Sequence, residues 1–563
     1  MAQGGRPIDS VWKFFIKVED GGKIRAKCIK CSAMISAKVG RLRTHLEKCS
    51  QSQLQNNFPK DDLLEILVPF NSSDTTIPPE KRVCHKIIQP KLNDFTIKTS
   101  SHQKETLDNQ IARLFYACNL PFNLAENDVF KKTISMLRPG YTPPTRKSLA
   151  GGLLDKTFNE VTTMTASALE GKDVTLVQDG WSDIHNSPVI AHCVHSGERS
   201  YFLNSVDTGS NKKTATYCTS LAIEASKEAT DKFGCKVVAV VTDNEQKMQS
   251  MRSKLKLLDS SLSVHGCASH LLNLLGKDIT PSQIISHITE INKYFRNHHN
   301  PGALLSAQKG SLKPQFPVVI RWNSQLECIK TYLTNRPFLL NILAQHEDVI
   351  DLSIANLINN VGLYREAKNL YDQLKPIATS LDKLQGEKSN VADSCEEWMK
   401  LIQLDELKSH LGKIQKRFKQ ATTPTHFLAN MINPKYMGQR LSCEQQEEAR
   451  GLLIQLNASL LPQLYQFQAK EAPFPASIFE CTDALDPVTW WKAIKKSKNL
   501  VADEFCDIAI NLLILPSSSV SIERIFSNFG LIQTELRNRL GIDKASKLVA
   551  CYRELRGCQE LEW

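Results

Sequence analysis

Val174-Thr175-Leu176-Val177-Gln178-Asp179-Gly180-Trp181 is a short apolar run that closes on a carboxylate, and Val237-Val238-Ala239-Val240-Val241-Thr242-Asp243-Asn244 is a second run of the same form. Between them, residues 187–195 and 199–206 are β-rich, and residues 214–232 carry a helical pattern with Leu221, Ala222, Ala225, Ala229 and Phe233 on one side. A helical pattern over 245–257, a brief strand over 262–264 and a helix from Ala268 complete the series. The predicted order is β-β-β-α-β-α-β-α. If the first and fourth strands are neighbours in one sheet, Asp179 and Asp243 stand side by side, the geometry of a two-metal nuclease site.

The chemistry favours that pair. Two Mg²⁺ ions roughly 3.5–4 Å apart activate an attacking oxygen and stabilise a leaving one in phosphoryl transfer. Mg²⁺ takes oxygen ligands, often one or two carboxylates plus substrate phosphates, and strand ends hold such ligands more accurately than loops do. The competing reading makes Asp179 a turn cap before Gly180 and Asp243 a cap on the following helix.

Composition narrows the class. The 563 residues are enough for three or four domains, and 41% hydrophobic with 23% charged residues is ordinary for a water-soluble chain. There is no membrane-length apolar run and no signal-peptide core at the N-terminus, so a cytosolic or nuclear location and no membrane partner are expected. Most of the sixteen cysteines stand singly in apolar contexts, as reduced core cysteines do. The net charge is +11, and residues 1–50 are densely basic, which points to a polyanionic partner.

Within that basic segment, Cys28, Cys31, His45 and Cys49 give the spacing C-x2-C-x13-H-x3-C. Each short pair supplies two ligands from one turn for a tetrahedral Zn²⁺, and His45 and Cys49 share one helix face. Trp12, Phe14 and Phe15 are the expected small core. The module resembles a BED-type zinc finger, a DNA-binding unit of transposases and their derivatives. Lys38, Arg41 and Arg43, before or on the His45 helix, are its candidate DNA contacts, some to phosphates alone.

Residues 51–100 read as a polar, proline-punctuated linker. Residues 101–170 are helical, through Leu107, Ile111, Leu114, Phe115 and Cys118, then Val129, Phe130, Ile134 and Leu137. Arg138, Arg146 and Lys147 flank a proline-rich loop there, either as phosphate contacts or as solvated charges on a helical collar. Cys267-Ala268-Ser269-His270 places a Cys and a His three apart on a helix, as core residues or half of a metal site. Residues 281–485 are almost entirely helix-periodic. Within them Val318-Val319-Ile320-Arg321-Trp322 could stack on an unpaired base and hold a phosphate, although a packed Trp is the commoner case. Near the end, Pro516 and serines 517–519 signal a helix start that puts Glu523 in its first turns, either in a surface pair with Arg524 or as a third metal ligand.

Taken in order, the finger, Gln178-Asp179-Gly180-Trp181-Ser182, Val241-Thr242-Asp243-Asn244, Cys267-Ala268-Ser269-His270, Arg321-Trp322-Asn323-Ser324 and Ser521-Ile522-Glu523-Arg524-Ile525-Phe526-Ser527 resemble a hAT-superfamily DNA transposase. The resemblance implies a multidomain α/β plus all-α chain. Its parts would be a BED-type finger (1–50), a linker (51–100), a helical DNA-binding or dimerisation region (101–170), and an RNase H-like core (171–280) interrupted by an α-helical insertion (281–485). Residues 486–563 would hold the rest of the core and a dimerisation region. It implies that Asp179, Asp243 and Glu523 are DDE ligands for Mg²⁺ or Mn²⁺, with Cys267, His270, Arg321 and Trp322 in support. Trp322 would stabilise a flipped base, and His270 would contact a scissile phosphate. Expected partners are double-stranded DNA, as terminal inverted repeats and target, and further copies of the chain as a homodimer or larger assembly in the nucleus. After Asp243-Asn244 many relatives carry small residues and a second Asn, whereas this chain has Glu245-Gln246-Lys247-Met248. A domesticated, non-catalytic DNA-binding regulator is the alternative, and a stand-alone nuclease is disfavoured by the finger.

Overall fold

The apolar runs of the central stretch form one five-stranded sheet. Its strands are β4 (Asp173–Ser182), β5 (Pro188–His195), β6 (Ser200–Asp207), β7 (Lys236–Thr242) and β8 (Ser263–Gly266), and they lie in the order β6-β5-β4-β7-β8. The hairpin-linked strands β4, β5 and β6 are antiparallel, and β7 and β8 join β4 in parallel through helical crossovers. That division follows from the connections, since a short turn suffices for an antiparallel neighbour and a parallel one needs a helix-length crossover. The computed structural model describes residues 10–20, 23–29, 31–51, 99–182, 186–317, 323–497, 501–534, 537 and 540–557. It is a mixed α/β, mostly helical chain in two units, residues 1–89 and 90–563.

In the longer unit, helices come first: α2 (Ser101–Ala117), α3 (Asp128–Leu137), α4 (Arg146–Leu149) and α5 (Gly152–Leu169). The crossovers are α6 (Ala215–Phe233) and α7 (Gln246–Leu258), and α8 (Ala268–Ile279) follows β8. Thr214 caps α6 by accepting from the Tyr217 amide, which fixes the helix start at the expected place. Leu221, Ala222, Ala225, Ala229 and Phe233 are all buried, as their spacing requires.

Side chains alternate across a strand, so β4 feeds two cores. Val174 and Leu176 pack with α6 and α7 on one face, while Val177 joins Ile522, Ile525 and Phe529 on the other. Those three belong to α21 (Val520–Ile532), which with α22 (Ile542–Gly557), α2 and α5 covers the second face. Twelve helices, α9 to α20, lie between Ser282 and Leu513 among the described residues. Their shared core includes Trp398 in α14 (Val391–Gln403) and Trp491 in α19 (Pro487–Lys496), both 0% exposed.

The first unit carries β1 (Phe15–Asp20), β2 (Lys23–Cys28) and β3 (Met34–Ser36) in an antiparallel sheet, followed by α1 (Val39–Gln51). Val11, Phe15, Ala26, Cys28 and Leu42 are its buried apolar residues, with Trp12 packed beside them. Phe14 departs from expectation at 49% exposed, because it precedes β1 and projects away from its inward neighbour. The apolar pattern of α3 also overstates its burial. It has no fully buried residue, and Val129 and Leu137 are exposed, while Phe130 meets Phe115 edge-on at 5.7 Å. Leu114 is likewise exposed, and Cys118 lies just past the end of α2.

Trp491 sits among Phe467, Phe474 and Phe505 and donates its indole N–H to the Ile432 carbonyl at 3.0 Å. Trp491→Ala should therefore destabilise the longer unit by about 3–5 kcal/mol, read as a lower denaturant midpoint in equilibrium unfolding; a loss under about 1 kcal/mol would contradict this packing.

Candidate active site

The register places the first two acids side by side. The last parallel pair between β4 and β7 is Gln178 with Thr242, so Asp179 and Asp243 are the next residues on neighbouring strands. By strand parity Asp179 shares a face with Val177 and Trp181, the face covered by α21. Trp181 stacks on Phe526 of α21 at 4.4 Å between ring centroids, and Glu523 lies in the first turn of that helix. Asp179 does not end its strand as its sequence suggested. β4 runs three residues further, paired with β5, so the carboxylate stands inside the sheet.

The backbone around each acid is locally satisfied. Asp179 Oδ1 accepts the Gly180 amide at 2.7 Å, and Asp243 Oδ1 accepts the Glu245 amide at 3.2 Å. The second contact is a turn bond two residues on, not the helix cap of the competing reading, since α7 has Glu245 at its N-cap and no side-chain capping bond. Space beside Gly180 is limited. A Cβ there would lie 3.3 Å from the Val189 carbonyl oxygen, the same oxygen to which Lys213 Nζ donates at 3.1 Å.

Electrostatics join these groups. Burial, then the Asp243 charge, pushes the Asp179 carboxyl up to about 7, with further repulsion from Glu523 and Glu245. Asp243 is raised by burial and by Glu245, while His270 and Lys247 oppose the rise. His270 is itself lowered by burial, against the pull of Asp243 and Glu245. Glu245 and Lys247, the unusual pair after Asp243, bind each other at 2.5 Å. The donors suit a hard divalent cation, which would relieve the mutual repulsion. Among the described residues, however, the acids do not form a group of three ligand atoms within 4.8 Å of one another.

Cys267 is not on a helix face. It is the N-cap of α8, and its Sγ accepts from the His270 amide at 3.4 Å and the Ser519 amide at 3.3 Å. The serines before α21 supply no side-chain capping bond to it. Ser517 and Ser518 hydroxyls donate to the Leu384 carbonyl at the end of α13 (Val361–Leu384). Arg524 pairs with Glu387 at 2.6 Å, not with Glu523. Arg321 and Trp322 lie outside the described residues; α11 (Asn323–Gln345) starts directly after them.

In the first unit, ligand atoms of Cys28, Cys31, His45 and Cys49 lie within 4.8 Å of one another, with Cys31 Sγ and His45 Nε2 3.2 Å apart. The neighbouring thiols push Cys49 up to about 11, Cys31 contributing most. Three thiols and an imidazole gathered this closely are a tetrahedral donor set, and a bound Zn²⁺ would favour the thiolate that crowding disfavours at Cys49, so the quartet fits that ion. Lys38 and Arg41 are exposed beside the buried Leu42, and Arg43 is exposed on the same helix. In the longer unit Arg146 and Lys147 are exposed on α4, whereas Arg138 is half-buried and reaches Gln103 at 3.4 Å. Arg146 also lines a groove of about 680 Å³ with Arg537 and Lys544, with no acidic side chain among its described lining residues.

Two family models match the chain. One is a domain of unknown function, DUF659, over residues 144–294; the other is the hAT family C-terminal dimerisation region, over residues 465–555. The first spans the sheet with Asp179 and Asp243, and the second spans α21 with Glu523. No curated protein matches the chain.

Two measurements probe these groups. Asp179 holds its proton more tightly when folded than the usual Asp value of about 3.9, so its ionisation opposes folding from about pH 4 upward and fully above about pH 7. Asp179→Asn should raise the Tm of metal-free protein at pH 8, with the gain shrinking toward pH 4; a lower Tm at pH 8 would contradict the repulsion. Stripping zinc with a chelator should abolish amide protection across residues 23–51, and added Zn²⁺ should restore it. Protection that survives chelation would remove the structural zinc.

Proposed function

The chain is an hAT-family transposase-like protein, and from that premise we propose that it is a DNA transposase of the hAT type, cutting and joining DNA at an RNase H-like site. The observation that carries this reading is the adjacency of Asp179 and Asp243 on parallel neighbouring strands, on the face where α21 presents Glu523. The strand order β6-β5-β4-β7-β8, three antiparallel strands followed by two parallel ones, supports the RNase H-like assignment, and the helical run from Ser282 supports the insertion.

Mg²⁺ or Mn²⁺ held there would supply Lewis acidity to phosphate oxygens and a nucleophile near neutral pH. Asp179, Asp243 and Glu523 provide the oxygen ligands. His270, within electrostatic reach of Asp243, is suited to a phosphate oxygen, and Lys213 beside Asp179 adds a cation on the approach. The reaction is hydrolysis at the transposon end, attack of the flanking 3′-OH to form a hairpin, and attack of the freed transposon 3′-OH on target DNA. Lys38, Arg41 and Arg43 of the finger, with Arg138, Arg146 and Lys147, are the proposed DNA contacts, and Arg321 and Trp322 the proposed base-handling pair. A homo-oligomer in the nucleus fits the matched dimerisation region and the DNA substrate. One observation favours a second reading, a non-catalytic DNA-binding regulator: the acids are less tightly gathered than the finger's zinc quartet, and Glu245 and Lys247 sit beside them.

Purified protein with Mn²⁺ and the DNA flanking its own gene should give strand-specific nicks and hairpins. Asp179→Asn and Glu523→Gln should lower the rate by at least about 10³-fold with DNA affinity unchanged. Zinc-dependent binding of that DNA without any cutting by the unaltered chain would establish the regulator instead.

A further inference from the structure

Arg252 is a charged residue on α7 that is only 9% exposed. Burying a guanidinium is costly unless its donors are used. Here three hydrogen bonds from its two Nη atoms end on the last residue of β7 and the turn after it. Nη1 donates to Thr242 Oγ1 at 2.6 Å and to the Asp243 carbonyl at 2.5 Å, and Nη2 donates to Asn244 Oδ1 at 3.2 Å. With its oxygen held by Arg252, the Asn244 amide is oriented so that Nδ2 donates to the Cys267 carbonyl at 2.7 Å. The fit beside it is close, since a Cβ on Gly266 would fall 1.8 Å from Asn244 Oδ1.

Cys267 carries the connection onward. Its amide donates to the Thr242 carbonyl at 2.8 Å, its Sγ accepts the Ser519 amide, and the Ala268 amide donates to the Ser517 carbonyl at 3.0 Å. An unbroken set of bonds therefore runs from the Asp243 turn to the first turn of α21. We propose that Arg252 and Asn244 are positioning residues that hold the Asp243 carboxylate in register with Glu523. Neither touches substrate, and the proposal rests on the metal-site reading only for its catalytic consequence. Arg252 acts through the backbone of Asp243, and Asn244 through Cys267.

The test uses the full-length chain and two variants, Arg252→Met and Asn244→Ala, so that misfolding of one leaves the other to decide. In metal-free protein, amide exchange of residues 243–246 and 517–523 should quicken by at least about tenfold in either folded variant, with β5 and β6 unchanged and Arg252→Lys partly restoring protection. Unchanged exchange at 517–523 in a folded variant overturns the proposal. This readout needs no activity, so a chain that cuts no DNA defeats the transposase reading and still reports on the lock. If the chain cuts, Arg252→Met should raise the Mn²⁺ concentration for half-maximal nicking by about tenfold with DNA affinity unchanged. A lowered rate with unaltered Mn²⁺ dependence would mark a merely structural residue and overturn the proposal as well.

Discussion

The place of Glu523 beside the two aspartates depends on how a segment more than 250 positions downstream returns to the end of β7 and β8. Ser519 is 252 residues beyond Cys267, yet its amide rests on the Cys267 sulfur. His265 of β8 donates its Nε2 proton to the Pro516 carbonyl at 2.8 Å, and the Ser517 amide donates to the Ser389 carbonyl at 3.0 Å. The returning strand of chain is thus bonded on one side to the sheet and on the other to the loop between α13 and α14. Each of these bonds engages a main-chain group of the returning segment, and a buried backbone group needs such a partner. The helical segment that contains α13 and α14 is consequently an anchor for α21.

The site assembled in this way is unfavourable for the fold. Burial and then neighbouring charge hold Asp179 and Asp243 above the usual carboxylate range, with Glu245 acting on both and Asp243 and Glu523 on Asp179, while His270 and Lys247 pull Asp243 the other way. Structural sheets have no need of such a cluster, and strained or repulsive groupings of this kind concentrate at functional sites. The Glu245–Lys247 pair brings one extra charge of each sign to the site, so it leaves the net charge unchanged while altering what an incoming phosphate would meet.

Much of the arrangement is legible in the sequence, for physical reasons. Strands buried on both faces must be nearly continuous apolar runs, so β4 and β7 stand out, and the crossover rules make them parallel. The quartet Cys28, Cys31, His45 and Cys49 is legible because two short ligand pairs at that spacing are what a tetrahedral metal site requires. Bonds that depend on tertiary placement are not. Nothing local marks Arg252 as buried, because an arginine on a helix ordinarily reads as solvated. Cys267 reads as a helix-face residue because a thiol is an uncommon cap. The serines before α21 mark its start, with Ser519 at the N-cap, yet none supplies a side-chain capping bond, and the hydroxyls of Ser517 and Ser518 are taken by a carbonyl of α13. Arg524 finds Glu387 instead of its sequence neighbour, and Phe14 and α3 show that apolar residues at the right spacing still need something to pack against.

Asp179, Asp243 and Glu523 are proposed to serve one divalent-metal site. The most direct measurement loads Fe²⁺ into zinc-saturated full-length protein and maps polypeptide cleavage by locally generated hydroxyl radicals. Cuts are expected beside residues 179, 243 and 523 together, suppressed by Mg²⁺ and absent in Asp179→Asn. Cuts near only one of the three positions, or none that Mg²⁺ suppresses, would contradict it.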